Sequence, residues 1–167
     1  SQKSLELTKK KALMIKINVV TNNIKWFYYI KKPNNYLDRK LNKLNSKEKK
    51  FKNNNIFCTL LLSGEKEIKL LNKKFRKKNK ATDVLSFPFQ TKTELENKLK
   101  KEKEIYLGDI IINLNKIKSK NNKSKFYKEF NKLWVHGLIH LFGNKHYKEK
   151  DFKIMNKLEK KYLKHLN

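Results

Sequence analysis

Hydrophobic positions change period several times along the chain, and each change marks an element. Residues 14–20 alternate apolar and basic side chains, the two-residue period of a strand. The aromatic run 26–30 leads to Pro33-Asn34-Asn35, a turn signal. Leu37, Leu41 and Leu44 then recur at i, i+4 and i+7, predicting a helix with its lysines on a solvated face. Residues 56–63 are too continuously apolar for a half-exposed strand and predict one buried on both sides. Residues 65–78 return to helix. Ile68, Leu71 and Phe75 mark its inner side, and Glu65 and Glu67 open it while a basic cluster closes it, as the helix dipole favours.

Two further strands are expected at 83–89 and 106–113. The segment 90–105 between them is charged and weakly patterned, and reads as an exposed, mobile loop. Residues 126–142 are apolar around almost the whole helical circumference, so this helix should be central and enclosed. A last helix carries Met155, Leu158, Tyr162 and Leu166 on one face. This order of elements predicts an α+β fold: a single compact domain with one small mixed sheet packed with helices. The strand order is not readable from the pattern.

The chain's 167 residues suit one domain, assigned to 14–167, with 1–13 a polar extension, tag or organelle transit segment. No run approaches the ~18 apolar residues of a membrane helix, so a soluble, cytoplasmic protein is expected. One cysteine, Cys58, excludes an internal disulfide and sits in an apolar run that makes it a core residue. A net charge of +28 and a pI near 10.1 point to a polyanion, with nucleic acid ahead of anionic membrane. Abundant Lys, Asn and Ile with scarce Gly, Pro and Arg are also what an A/T-biased coding sequence gives, so the charge supports RNA or DNA only moderately.

Three of the four histidines change the picture. His136, His140 and His146 form H-x3-H-x5-H. On a helix the first two stand one turn apart on one face and can aim at a single point. Gly143 suits the helix stop, and the reversed chain can return His146 as a third ligand. Three imidazoles favour zinc or a similar divalent ion. Three protein ligands rather than four leave a position open, the mark of a catalytic site that lowers the pKa of water toward roughly 7. His165, on the last helix, reads as a surface residue.

Of 43 basic residues only Arg39 and Arg76 are arginine. Arg76 closes a helix just before Lys77, Lys78 and Lys80. A planar guanidinium binds phosphate through two parallel hydrogen bonds, whereas lysine acts as a point charge. An exposed helix-end cation is an equally good reading of that position, and Arg39 lacks any such context. Gly137 costs a helix ~1 kcal/mol relative to alanine, so something approaches its backbone closely: substrate or a neighbouring strand. It also stands where the spacing of a metzincin protease needs its glutamate, which argues against peptidase chemistry.

Three linked blocks carry a family resemblance. They are Leu71-Asn72 with Phe75-Arg76 running into Thr82-Asp83-Val84-Leu85-Ser86-Phe87-Pro88-Phe89; then Leu107-Gly108-Asp109-Ile110; then the histidine motif. From about Met14 onward the chain resembles the bacterial YbeY family of zinc-dependent endoribonucleases, whose signature reads H-G-x-L-H-L-x-G-Y-D-H. The resemblance implies a single-strand-specific endoribonuclease acting in maturation of the small-subunit ribosomal RNA 3′ end and in ribosome quality control. It implies one Zn2+ per chain on His136, His140 and His146, and a phosphate-facing Arg76. Implied partners are ribosomal RNA, ribosomal proteins and a ribosome-assembly GTPase. The chain departs from the signature at Ile139 and at Asn144-Lys145, which replaces Tyr-Asp. The second change removes an acidic neighbour of the third ligand, and outer partners of that kind commonly alter metal affinity or activity ~10 to 100-fold.

The expected chemistry places Arg76 and His136 in catalytic roles, with Arg76 stabilising charge on the phosphoryl oxygens. No dedicated general base is evident. Lys77, Lys78 and Lys80 supply sequence-independent attraction to the RNA backbone. A zinc-stabilised, non-catalytic RNA-binding assembly factor is the alternative, and a metallopeptidase a more distant one.

Overall fold

A computed structural model describes residues 13–48 and 53–167. Four strands, β1 (Leu13–Thr21), β2 (Asn53–Ser63), β3 (Val84–Pro88) and β4 (Glu104–Asn113), form one mixed sheet in the order β1-β2-β4-β3. The first three in that order run parallel, and β3 pairs antiparallel to β4 at the edge. The helices are α1 (Trp26–Tyr29), α2 (Pro33–Lys47), α3 (Glu65–Arg76), α4 (Lys92–Lys101), α5 (Lys123–Leu141) and α6 (Glu149–His165). The α+β architecture is the expected one, and the strands lie where the hydrophobic period places them. Residues 1–12 of the expected N-terminal extension lie outside the described residues, and Leu13 already begins β1.

One face of the sheet carries the main core. Ile15, Ile17, Ile56, Leu60, Leu62, Ile110 and Ile112 pack there with α2, α5 and α6, and Cys58 lies buried among them. Phe126, Phe130, Trp134 and Leu138 are all but fully buried, so α5 is the enclosed central helix its composition predicts. Trp26 lies edge-on to Phe126 and donates its indole N–H to Ser63 O at 2.8 Å. The opposite face holds a small cluster, Ile68 of α3 with Leu85 and Ile111. Among the described residues no helix is long and apolar enough to cross a membrane.

Three expectations need correction. Pro33-Asn34-Asn35 is the first turn of α2 rather than a separate turn. Proline is tolerated at a helix's first position because its missing N–H would have no partner there. The central strand β2 is not buried equally on both sides. Ile56, Cys58, Leu60 and Leu62 are buried, while Phe57, Thr59 and Leu61 on the other face are half-exposed, because α3 covers only part of that face. The segment 90–105 is not a loop but chiefly α4. Thr91 caps the helix by accepting the Glu94 N–H, and Leu95, one turn before Leu99, is buried in the main core. Two apolar residues among lysines are too few to register as a period, yet one buried leucine anchors the helix.

Candidate metal centre

α5 delivers two of the three histidines. Asn122 caps its start by accepting the Lys125 N–H, and His136 and His140 stand one turn apart on its last turns. The helix stops at Leu141. Gly143 adopts φ +90°, a region side chains rarely enter, and its N–H bonds His140 O at 2.9 Å. The chain reverses there and brings His146 back. The ring centroids lie 4.6 Å (His136–His140), 5.1 Å (His140–His146) and 6.1 Å (His136–His146) apart. One ring nitrogen of each falls within 4.8 Å of the others, so the three can hold a metal ion. A Cβ on Gly143 would approach Lys92 Cβ to 2.6 Å, so α4 packs directly on the turn that presents His146.

Hydrogen bonds set the tautomers. His140 Nδ1–H donates to Asn144 O at 2.8 Å, and His136 Nδ1–H donates to the Glu159 carboxylate of α6. Both Nε2 lone pairs are then left facing each other, 3.0 Å apart. Two lone pairs at that distance repel unless a proton or a metal cation lies between them. A tetrahedral zinc with Zn–N of ~2.0–2.1 Å holds two nitrogens roughly 3.3 Å apart. The donor set therefore fits a divalent ion. Burial lowers the His140 pKa from 6.5 to about 4, with the charges of His136, His146 and Arg76 adding to the effect, so the ring is neutral and ready to ligate at neutral pH.

Arg76 reaches this centre from the other side of the edge strand. Its guanidinium N–H donates to Ser86 O at 2.6 Å and its Cζ lies 5.6 Å from the Phe87 ring centroid. Lys77, in the left-handed conformation, ends α3. Asn72, buried in α3, holds the basic loop beyond it, with its O accepting Lys78 N–H at 3.2 Å and its side chain donating to Lys80 O at 2.8 Å. Lys77, Lys78 and Lys80 are exposed beside Arg76.

A strand, not a ligand, explains Gly137. A Cβ there would meet Ile110 Cγ2 at 2.6 Å and Ser86 Oγ at 3.1 Å, and Ser86 Oγ donates to Gly137 O at 3.2 Å. His165 is not among the clustered histidines. Glu159 is the functional candidate that sequence reasoning missed. A signal was present: it lies four residues after Met155 and three before Tyr162, on the inward stripe of α6 where a carboxylate needs a partner.

Comparison with known proteins agrees with this geometry. The family model described as Endoribonuclease YbeY matches residues 14–167. The chain is 44% identical over 148 residues to the endoribonuclease YbeY of Pelagibacter ubique, covering 87% of this chain and 92% of that protein. It is 33% identical over 156 residues to that of Ehrlichia canis, covering 90% and 91%. The fold is similar to the solution structure of a Thermotoga maritima protein, at TM-score 0.54 and 24% identity, over 92% of this chain and 89% of that one. A match over nearly all the described residues, with the three histidines gathered at one point, means that the chain belongs to the YbeY family.

Proposed function

We propose that the chain is a zinc-dependent endoribonuclease that cleaves single-stranded RNA, with ribosomal RNA of the small subunit, at its 3′ end, as substrate. The observation that carries this reading is the meeting of His136, His140 and His146 nitrogens, with the Arg76 guanidinium near enough for its charge to act on His140. The names of the relatives supply the reaction class, since each is an endoribonuclease. The parts in ribosome quality control and cytoplasmic action, with ribosomal proteins and a ribosome-assembly GTPase as partners, rest on family membership.

A zinc ion held by the three imidazoles would supply Lewis acidity and make water acidic near neutrality. The chain's own residues do the rest. Asn144 O and the Glu159 carboxylate keep the His140 and His136 rings oriented with Nε2 inward. Arg76, anchored through one N–H to Ser86 O, keeps further N–H donors for the phosphoryl oxygens and stabilises charge that develops on them. Lys77, Lys78 and Lys80 attract the flanking backbone. Peptidase chemistry is disfavoured on structural grounds, because Ile110 and Ser86 fill the space a glutamate side chain at position 137 would need.

The test is cleavage of a labelled single-stranded RNA, and of the same RNA annealed to its complement, by zinc-loaded, chelator-treated and His136→Ala protein. Cleavage of the single strand only, lost on chelation and in the variant, supports the reading. Tight RNA binding without cleavage in the zinc-loaded protein would favour the non-catalytic assembly factor instead.

A further inference from the structure

The sheet face opposite α5 is only partly covered. Ile68 of α3 closes over Leu85 and Ile111. Beyond that cover the register lines up Thr59, Asp109 and Phe87 in one row and Phe57 with Tyr106 in the next. These rows stay open: Asp109 is exposed, and Tyr106 keeps 40% of its surface in solvent.

Four rings border this open area. Phe75 and Phe87 meet edge to face at 5.5 Å, and Phe89 and Tyr106 at 5.9 Å. Phe75, expected on the inner side of α3, is instead 59% exposed, and Phe89 is 70% exposed. Cations lie against three of the rings: Lys74 Nζ is 5.2 Å from the Phe75 centroid, Arg76 Cζ 5.6 Å from that of Phe87, and Lys98 Nζ 5.7 Å from that of Phe89. Tyr106 is held in place through its hydroxyl, which donates to the Asp109 carboxylate and lies 2.9 Å from Thr59 Oγ1.

A single exposed phenylalanine calls for no explanation, but exposed rings grouped with cations do. Flat faces for bases and point charges for phosphates are what holds single-stranded nucleic acid without reading its sequence. The charge of +28 selects a polyanion over an acidic or apolar peptide of modest charge. The area also connects to the metal centre. The guanidinium lying over Phe87 is the one bonded to Ser86 O, and Ser86 Oγ bonds Gly137 O, next to His136. Arg76 is thus the group past which a strand held at the histidines would run to reach these rings.

We propose that Phe75, Phe87, Phe89 and Tyr106 form a base-stacking platform for the single-stranded RNA that flanks the phosphate at the histidine centre. This rests on the endoribonuclease reading above. It also gives that reading a physical basis for strand selectivity, because the bases of a duplex already stack on one another and have no faces to offer.

The test uses a fluorescein-labelled oligouridylate with the zinc-loaded full chain. Its binding by anisotropy and its cleavage are compared for wild type, Phe89→Leu, Phe75→Leu with Phe89→Leu, and Phe89→Tyr. These side chains are mostly in solvent, so leucine leaves the core intact, which thermal melting checks. The platform predicts that Phe89→Leu binds roughly tenfold more weakly, with KM raised and kcat kept, and that tyrosine restores binding. The slope of log affinity against log salt stays unchanged, since no phosphate contact is lost. If wild type cleaves the oligouridylate and the leucine variants match it, the platform alone is wrong. A flattened salt slope in those variants would equally overturn it, because the loss would then be one of charge. If wild type neither binds nor cleaves, the endoribonuclease reading fails and the platform with it.

Discussion

The Glu159 carboxylate of α6 accepts the Nδ1–H of His136, so a helix that provides none of the three clustered histidines orients one of them. This contact answers a question raised by the sequence. Asn144-Lys145 replaces the family's Tyr-Asp, yet the rings of the first two histidines both have acceptors, His136 from Glu159 and His140 from the Asn144 backbone, which any residue at that position offers. Glu159→Ala should weaken zinc binding by ~10 to 100-fold in a chelator competition, with Glu159→Gln in between because it keeps an acceptor but not the charge. Unchanged affinity in the alanine variant would show that the contact does not support the ligand.

Purified protein supplied with zinc should carry about one ion per chain by elemental analysis, and His140→Ala should carry almost none. An ion held by the assembled histidines and not by the unfolded chain stabilises the fold, so chelation should lower the thermal midpoint of wild type and leave that of the variant unmoved.

Arg76→Ala should reduce RNA cleavage by about 10²–10³-fold, the usual effect of removing a donor aimed at developing charge. Arg76→Lys should recover little, because lysine cannot bond Ser86 O and a phosphate through one planar group. Full activity in the lysine variant would reduce the arginine to a point charge.

His140 is held at about 4 against an ordinary value of 6.5, first by burial. Between those values the unfolded chain binds a proton that the folded chain refuses, so this group's contribution to stability falls as pH drops through the window and is complete above it. In metal-free protein the urea midpoint should decline from pH 6.5 to pH 4 more steeply for wild type than for His140→Phe. Parallel curves for the two proteins would remove His140 as the cause.

Gly143→Ala should be destabilising by ~1–3 kcal/mol, because it combines a strained backbone with a Cβ driven against Lys92. It lies beyond the end of α5 and gains nothing from helix propensity. A shifted turn also displaces His146, so zinc affinity should fall with stability. Loss of stability alone, with unaltered affinity, would mean that α4 does not help to hold the third ligand in place.

Elements with a strong period were legible in the sequence, and so was the gathering of His136, His140 and His146 at one point, because three histidines around a stop glycine leave few other geometries. What escaped reading depended on long-range partners. α4 hides in charged sequence because its anchorage rests on the burial of Leu95 in the main core, a long-range contact, and its one local signal is the Thr91–Glu94 cap. The half-open face of β2 cannot be inferred from Leu60-Leu61-Leu62, since alternate burial appears only once α3 is seen to stop short. Glu159 lies 23 residues from His136, and nothing local joins them.

The edge strand β3 has a further consequence, for self-association. Asp83 and Phe89 exchange backbone bonds with β4, which turns the N–H and C=O groups of Val84, Ser86 and Pro88 outward. A bare row of this kind invites another chain to add a strand. Here the row is closed at three points: the Asp83 carboxylate takes the Val84 N–H, Arg76 takes Ser86 O, and Pro88 has no N–H to give. The same guanidinium thus also covers an acceptor on an open sheet edge, which removes one of the groups a second chain would pair with.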